Sequence, residues 1–281
     1  MLRSMASAIT GLKDHQLYMD VVGNNIANVN TVGYKSSRIN FKDAMSQTFG
    51  IGSAPMAGAA GDPSLQGGTN PVQLGLGVTV GAIDNVMVQG ALTTTGKNTD
   101  LAIQGEGFFV LQGASGTFYS RDGAFGLDKD GYLVDPVSGN YVMGADPAGG
   151  GGLARICIDP SWNWSSFSIS SDGTIVGVTK DGAIDTTNQP KIVLAKFNNP
   201  EGLLRAGGNM WKEGPNSGTA DTGSPLTGGR GALMSGALEA SNVDLAEQFS
   251  RMILAERGFQ ANSRVITTSD EMLQDLVNIK R

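Results

Sequence analysis

NVDLAEQFSRMILAERGFQANSRVITTSDEMLQDLVNI, residues 242–279, carries the pattern from which the fold follows. Leu245, Met252, Phe259, Ile266 and Leu273 recur every seven residues, with a companion line three residues on: Gln248, Ala255, Asn262, Ser269 and Leu276. A seven-residue apolar line is a coiled-coil seam. The companion line is half polar, so the helix is expected to find its burial against another helix or another subunit. Ser241 and Asn242 read as N-caps and Asp244 as a first-turn carboxylate, while Lys280 and Arg281 close the far end with positive charge. At 1.5 Å per residue the rod would be about 55–60 Å long, more than one small domain covers.

The opposite end of the chain mirrors this one. Met5, Leu12, Met19 and Ile26 form a second seven-residue line, interleaved with Leu2, Ile9 and Gln16. Two narrow seams at the two ends suggest that they meet. The first helix is expected to stop near Asn28, because GNNIANVNTVG (residues 23–33) is dense in residues that compete for backbone hydrogen bonds and accept left-handed conformations.

Between the seams the composition changes. Of 41 glycines, only Gly11 and Gly23 lie in residues 1–30 and only Gly258 in 241–281, so the centre is glycine-rich and framed by helices. Residues 36–75 begin with a short amphipathic piece, Ile39 to Phe49, and then dissolve into Gly, Ala, Ser and Pro, the composition of a linker or extended arm. From Val78 onward short β-rich runs alternate with Gly-containing turns: Val78 to Val80, Val86 to Val88, Leu101 to Ile103 and Phe108 to Leu111. Asp130-Gly131, Asp172-Gly173 and Asp181-Gly182 read as turns. Gly149 to Gly152 is a break, after which strands resume at Ile156, Phe167 to Ile169, Thr174 to Val176 and Lys191 to Phe197. Trp162 and Trp164 are candidates for the core of a small insertion.

Charge and chemistry narrow the function further. The net charge is −6 and no Lys/Arg cluster appears, which argues against nucleic acid and anionic membrane surfaces as partners. His15 is the only histidine and Cys157 the only cysteine, so a nucleophile–histidine arrangement is available only if His15 itself serves, within a helix far in sequence from Cys157, and a His/Cys metal site lacks ligands. Cys157 reads as a small apolar residue of a strand. Asp128-Lys-Asp130-Gly131 begins like a calcium loop, but its glycine comes too early and no glutamate closes it. Gly75, Gly77 and Gly81 miss the dinucleotide spacing. Neither catalytic, cofactor nor metal residues are expected. A basic region followed by an apolar stretch and a cleavage site is lacking at the N-terminus, and no apolar run reaches membrane-spanning length. Export without a cleaved Sec-type signal is the expectation if the protein leaves the cell.

GNNIANVNTVGYK (residues 23–35) resembles the N-terminal signature of bacterial flagellar axial proteins, those of rod and hook. Met1 to Met5, Gly11-Leu12 and His15-Gln16 are similar to the hook members in particular. The likeness continues in order through Asp100 to Leu111, Tyr119 to Phe125, Gly131 to Asp135, Ala195 to Leu204, Gly207 to Trp211, Gly236 to Asp244, Ala255 to Ile266 and Met272 to Gln274. It implies an α+β fold in which long N- and C-terminal helices pair as a coiled coil around a central all-β domain carrying at most a small β insertion. The expected division is 1–35 and 240–281 for the inner helices, 36–75 for the arm, 76–145 and 191–239 for the main β domain, and 146–190 for a small outer insertion.

By the same resemblance the chain is expected to be a subunit of the flagellar hook, a curved flexible tube that transmits torque from rod to filament, with the distal rod of the basal body as the alternative. The implied partners are further copies of itself in a helical homopolymer, the distal rod, hook cap and hook–filament junction proteins, and the flagellar type III export apparatus, with no nucleic acid and no membrane insertion. The implied location is extracellular, in the hook and basal body. The residues expected at subunit interfaces are Met5, Leu12, Met19, Ile26, Leu245, Met252, Phe259, Ile266, Leu273 and Leu276.

Overall fold

A computed structural model describes residues 2–54, 67–145, 152–158, 164–179 and 189–279. Trp162, the Asp181-Gly182 turn, and most of the Gly-Ala-Pro stretch after Gly50 lie outside the described residues. Two helices bracket a largely β centre: α1 spans Leu2–Ala27 and α2 spans Leu245–Ile279. The chain is therefore α+β, with a helix near each end as expected. It divides into two compact units, one of Met1–Asn24, Ser37–Asp84 and Ala246–Arg281, the other of Asn25–Ser36 and Asn85–Leu245.

α1 ends at Ala27, where the asparagine-rich run begins. Asn28 and Val29 still donate to the Asn25 and Ile26 carbonyls, and Thr31 to that of Asn28, so the helix unwinds through turns. α2 begins at Leu245, three residues later than expected, with Asp244 directly before it. Asn242 is not its cap. That side chain is spent on the β unit instead, as described below.

In the helical unit α1 and α2 meet in antiparallel order. A Cβ at Gly11 would lie 3.1 Å from Asn262 Cγ, and one at Gly258 would lie 3.0 Å from His15 Nδ1. Four residues forward on α1 is thus four residues back on α2. The buried residues of α2 are Gln248, Ala255 and Ser269, the polar and small companion line. On α1 the buried apolar side chains are Ala8 and Val22. Short side chains let two helix axes approach closely, so this contact is made through small residues rather than a leucine seam. The same unit holds two antiparallel ribbons: Ser37–Asp43 joined to Val78–Asn85 in a two-stranded sheet, and Ser46–Gly50 paired with Val72–Gly75. Tyr18 and His15 pack on Phe41, with ring centroids 5.8 and 6.3 Å apart.

The β unit is built on a sheet whose main path runs through strands Leu204–Gly207, Met210–Lys212, Gly116–Ser120, Phe108–Gly113, Tyr141–Ala145, Leu133–Val134 and Gly126–Leu127. Its central hairpin pairs Val110 with Tyr119 and Leu111 with Phe118. Alternation along Phe108–Gly113 sends side chains to two faces. Phe109 and Leu111 join Leu101, Ile103, Phe125, Leu133, Val142, Ile192 and Leu194 in one cluster. Phe108 and Val110 join Tyr119, Phe197, Leu203 and Trp211 in another. The Asp130-Gly131 turn is present, pairing Leu133 with Leu127. The hairpin Trp164–Ile169 with Ile175–Thr179 contributes Ile169 and Ile175 to the first cluster, with Trp164 packed against it.

Candidate functional site: assembly surfaces and a buried ion knot

Met5, Leu12, Met19 and Ile26 on α1, and Met252, Phe259, Ile266 and Leu273 on α2, are half-buried, whereas Leu245 and Leu276 are exposed. α2 also shows a second apolar strip that was not singled out in the sequence: Leu254, Val265, Met272 and Ile279 are all exposed, Ile279 by 80%. At 100° per residue these four fall on one side of the helix, away from the Ala255 line. A monomer therefore leaves most of the apolar surface of its longest helix in water.

The β unit contains a feature of a different kind. Lys35, Arg121 and Glu239 are buried together. Lys35 Nζ lies 2.6 Å from Glu239 Oε1, and Arg121 Nη1 3.2 Å from Glu239 Oε2. Oε1 also accepts the Gly90 N–H at 2.8 Å. Lys35 donates to the Val88 carbonyl at 2.8 Å, and Arg121 Nη2 to that of Gly105 at 2.9 Å. The Phe108 ring lies 5.3 Å from the Arg121 guanidinium carbon. Burial pushes both the Lys35 ammonium and the Arg121 guanidinium below their ordinary values, with Glu239 pulling the other way. Three donors meet the Glu239 carboxylate and offset part of the cost of two cations in a dry site, while Arg121 Nε is buried without a hydrogen-bond partner among the described residues.

This knot gathers three distant stretches of chain. Lys35 closes the asparagine-rich run, Arg121 lies in Tyr119 to Phe125, and Glu239 in Gly236 to Asp244, three of the stretches that resemble the axial family. Backbone contacts reinforce it: the Gly33 N–H donates to the Glu239 carbonyl and the Ala240 N–H to that of Ala91, both at 2.8 Å. Asn242 Oδ1 accepts the Ser36 N–H and its Nδ2 donates to the Val86 carbonyl, each at 2.8 Å. Arg205 Nη2 donates to the Lys35 carbonyl, and its Nε to Asn85 Oδ1 at 3.1 Å.

Beside the knot is a cavity of about 390 Å³ lined by Lys35, Arg121, Lys196, Glu106, Phe108 and Phe197 among others. Lys196 and Glu106 are paired at 2.8 Å, which holds the Glu106 carboxyl below its usual range. Among the described residues no group of three or more His, Cys, Asp or Glu side chains converges as a metal site. No described helix is long and apolar enough to cross a membrane. Cys157 is a half-buried thiol beside the Tyr132 backbone, 3.7 Å from the Asp130 carbonyl oxygen. His15 sits against Gly258, remote in sequence from any nucleophile it might activate.

The chain thus has a helix near each end, a β-rich centre and a buried knot that draws together Lys35, Arg121 and Glu239. Three family descriptions match in chain order: "Flagella basal body rod protein" over residues 5–35, "Flagellar hook protein FlgE/F/G D1 domain" over 102–177, and "Flagellar basal body rod FlgEFG protein C-terminal" over 234–279. The chain is similar to the flagellar basal-body rod protein FlgG of Bacillus subtilis, 48% identical over the full length of both. It is 36% identical to FlgG of Borreliella burgdorferi, again over both full lengths. The flagellar hook protein FlgE of Borreliella burgdorferi is 29% identical, in an alignment of 450 positions. The chain belongs to the flagellar rod and hook family, structural proteins of the bacterial flagellum. These relatives do not favour the hook over the rod; the more similar of those named are rod proteins.

Proposed function

We propose that this chain is a subunit of the flagellar distal rod, which polymerises with copies of itself into a shaft and has a mechanical rather than a catalytic role. The observation that carries polymerisation is α2: of its 35 residues only Gln248, Ala255 and Ser269 are buried, and apolar side chains line its outer faces. Such a helix gains its burial from neighbouring copies. In this reading the helices within residues 1–35 and 240–281 pair as a coiled coil in the inner layer, and Met5, Leu12, Met19, Ile26, Leu245, Met252, Phe259, Ile266, Leu273 and Leu276, beside the small-residue contact, meet neighbouring subunits. Residues 36–75 are the arm, 76–145 and 191–239 the main β domain, and 146–190 a small outer insertion. Heterologous contacts that repeat without closing give a helical tube.

Placement in the rod rather than the hook is supported by length. The rod relatives align end to end over 282 and 288 positions, whereas the hook relative needs 450, far more than this chain can fill. Export by the flagellar apparatus without a cleaved signal, and contacts with the adjoining axial proteins, belong to the same proposal.

Electron microscopy of basal bodies from a strain lacking this gene is the test. A truncated shaft with no hook is expected. A complete shaft that merely lacks its hook would overturn the rod placement in favour of the hook.

A further inference from the structure

The chain passes between the β unit and the helical unit at three places besides the short turn of α1 that reaches Ala27: after Ser36, before Asn85 and after Leu245. All three are tied to one another inside the β unit. Ser36 holds Asn242 through its N–H and Val86 through its carbonyl, Asn242 holds Val86, and Lys35 reaches Val88 while bound to Glu239. Arg205 adds a tie between Lys35 and Asn85. None of these bonds involves a residue of α1 or α2.

We infer that the Lys35–Glu239–Arg121 knot, with Asn242, is a pre-ordered root that holds the inner ends of the two helices together, so that α1 and α2 pair as a short-linked hairpin when subunits assemble. This inference rests on the helix pairing proposed above and adds what positions it. Within the helical unit, the antiparallel order seen at Gly11 with Asn262 and at His15 with Gly258 runs toward the C-terminal end of α1 and the N-terminal end of α2. The ends brought opposite each other are therefore the ends the knot restrains. Between the charged knot residues and the helices lie residues 28–34 and 240–244, a dozen residues. With residues 28–36 released, α1 would be tethered only through the arm that returns at Asn85, about sixty residues away. Loop-closure scaling makes the effective concentration of one helix at the other roughly tenfold lower in that case.

The test measures that effective concentration in the full chain at monomeric dilution. His15→Cys and Gly258→Cys are introduced with Cys157→Ser, and disulfide formation is titrated against a buffer of reduced and oxidised glutathione. Glu239→Gln and Asn242→Ala are each added, and Trp211 fluorescence reports whether the β unit remains folded. A roughly tenfold fall in effective concentration with an unaltered Trp211 signal is expected. An unchanged value in a folded knot variant overturns the inference, and Asn242→Ala decides should Glu239→Gln fail to fold. If the cysteine pair does not close in the chain with its knot intact, the helix pairing itself is overturned, a distinguishable result.

Discussion

Lys35 Nζ and Glu239 Oε1 stand 2.6 Å apart across 204 residues of chain, both out of contact with water. A carboxylate in that position shared by two cations is costly to disturb from one side. Glu239→Gln leaves Lys35 and Arg121 buried without a counter-charge, and the expected loss of stability is about 3–5 kcal/mol. Lys35→Met should cost less, because Arg121 and the Gly90 N–H still engage the carboxylate. Urea unfolding followed by Trp211 fluorescence orders the two variants. The reverse order would mean that Lys35, not Glu239, is the centre of the knot.

Tyr119 offers a pH-dependent reading of the β unit. Its hydroxyl donates to Glu213 Oε1 at 2.7 Å, and burial first, then the bond and charge of Glu213, hold the phenol well above the ordinary tyrosine range. The folded phenol keeps its proton more tightly than the unfolded one. Its contribution is thus complete below about pH 10, the ordinary value, and is lost as pH climbs above it. Ultraviolet titration of the phenolate band is expected to show one tyrosine that ionises only with unfolding. Tyr119→Phe should lower stability at neutral pH by about 1–2 kcal/mol and flatten the alkaline limb.

The helix contact is open to an opposite kind of test, adding atoms rather than removing them. A Cβ at Gly258 meets the His15 ring, which cannot swing aside as a flexible side-chain tip would. Gly258→Val is expected to weaken α1–α2 contact and polymer formation while leaving the Trp211 signal of the β unit unchanged. Gly11→Ala should be mild, since it meets only the end of the Asn262 side chain. Sedimentation of polymer under assembling conditions separates them. Equal behaviour of the two variants would show that assembly does not depend on this approach.

Particular residues show how far the sequence could be read. Both helices were legible because Met5 to Ile26 and Leu245 to Leu273 keep one spacing over three and four heptads, a signal that local context cannot imitate. Phe108–Gly113 was legible as a strand from its apolar run and flanking glycines. The line that α2 buries was not, because periodicity registers apolar character but not the distance between axes; Ala255 and Ser269 are buried for being small. Asn242 looked like a cap because an asparagine that binds a backbone amide is the same signal whether the amide lies in its own helix or at Ser36. The knot was invisible as a constellation: Lys35, Arg121 and Glu239 lie far apart in sequence and burial of charge leaves no local trace. Its one available clue was that each sits inside a stretch resembling the same family.

The last residue of the asparagine-rich run before Tyr34 tests why that stretch ends as it does. Gly33 has φ +66, and a Cβ there would lie 2.5 Å from the Asp122 nitrogen and 2.7 Å from the Arg121 carbonyl carbon. Both are backbone atoms that cannot yield without moving Arg121, while the Gly33 N–H is held by the Glu239 carbonyl. Gly33→Ala therefore combines left-handed strain, about 1–2 kcal/mol, with displacement of one arm of the knot. A total loss of about 2–4 kcal/mol is expected, approaching that of Glu239→Gln. Gly23 is the contrast: it lies within α1 and nothing stands within 4 Å of its Cβ position. Gly23→Ala should leave the β unit untouched and favour the helix by up to about 1 kcal/mol. Urea unfolding by Trp211 fluorescence, with far-ultraviolet circular dichroism for helix content, reads the two effects separately. A Gly33→Ala chain as stable as the unaltered one would mean that Arg121 and Asp122 can shift freely, and the rigidity assigned to the knot would fall with it.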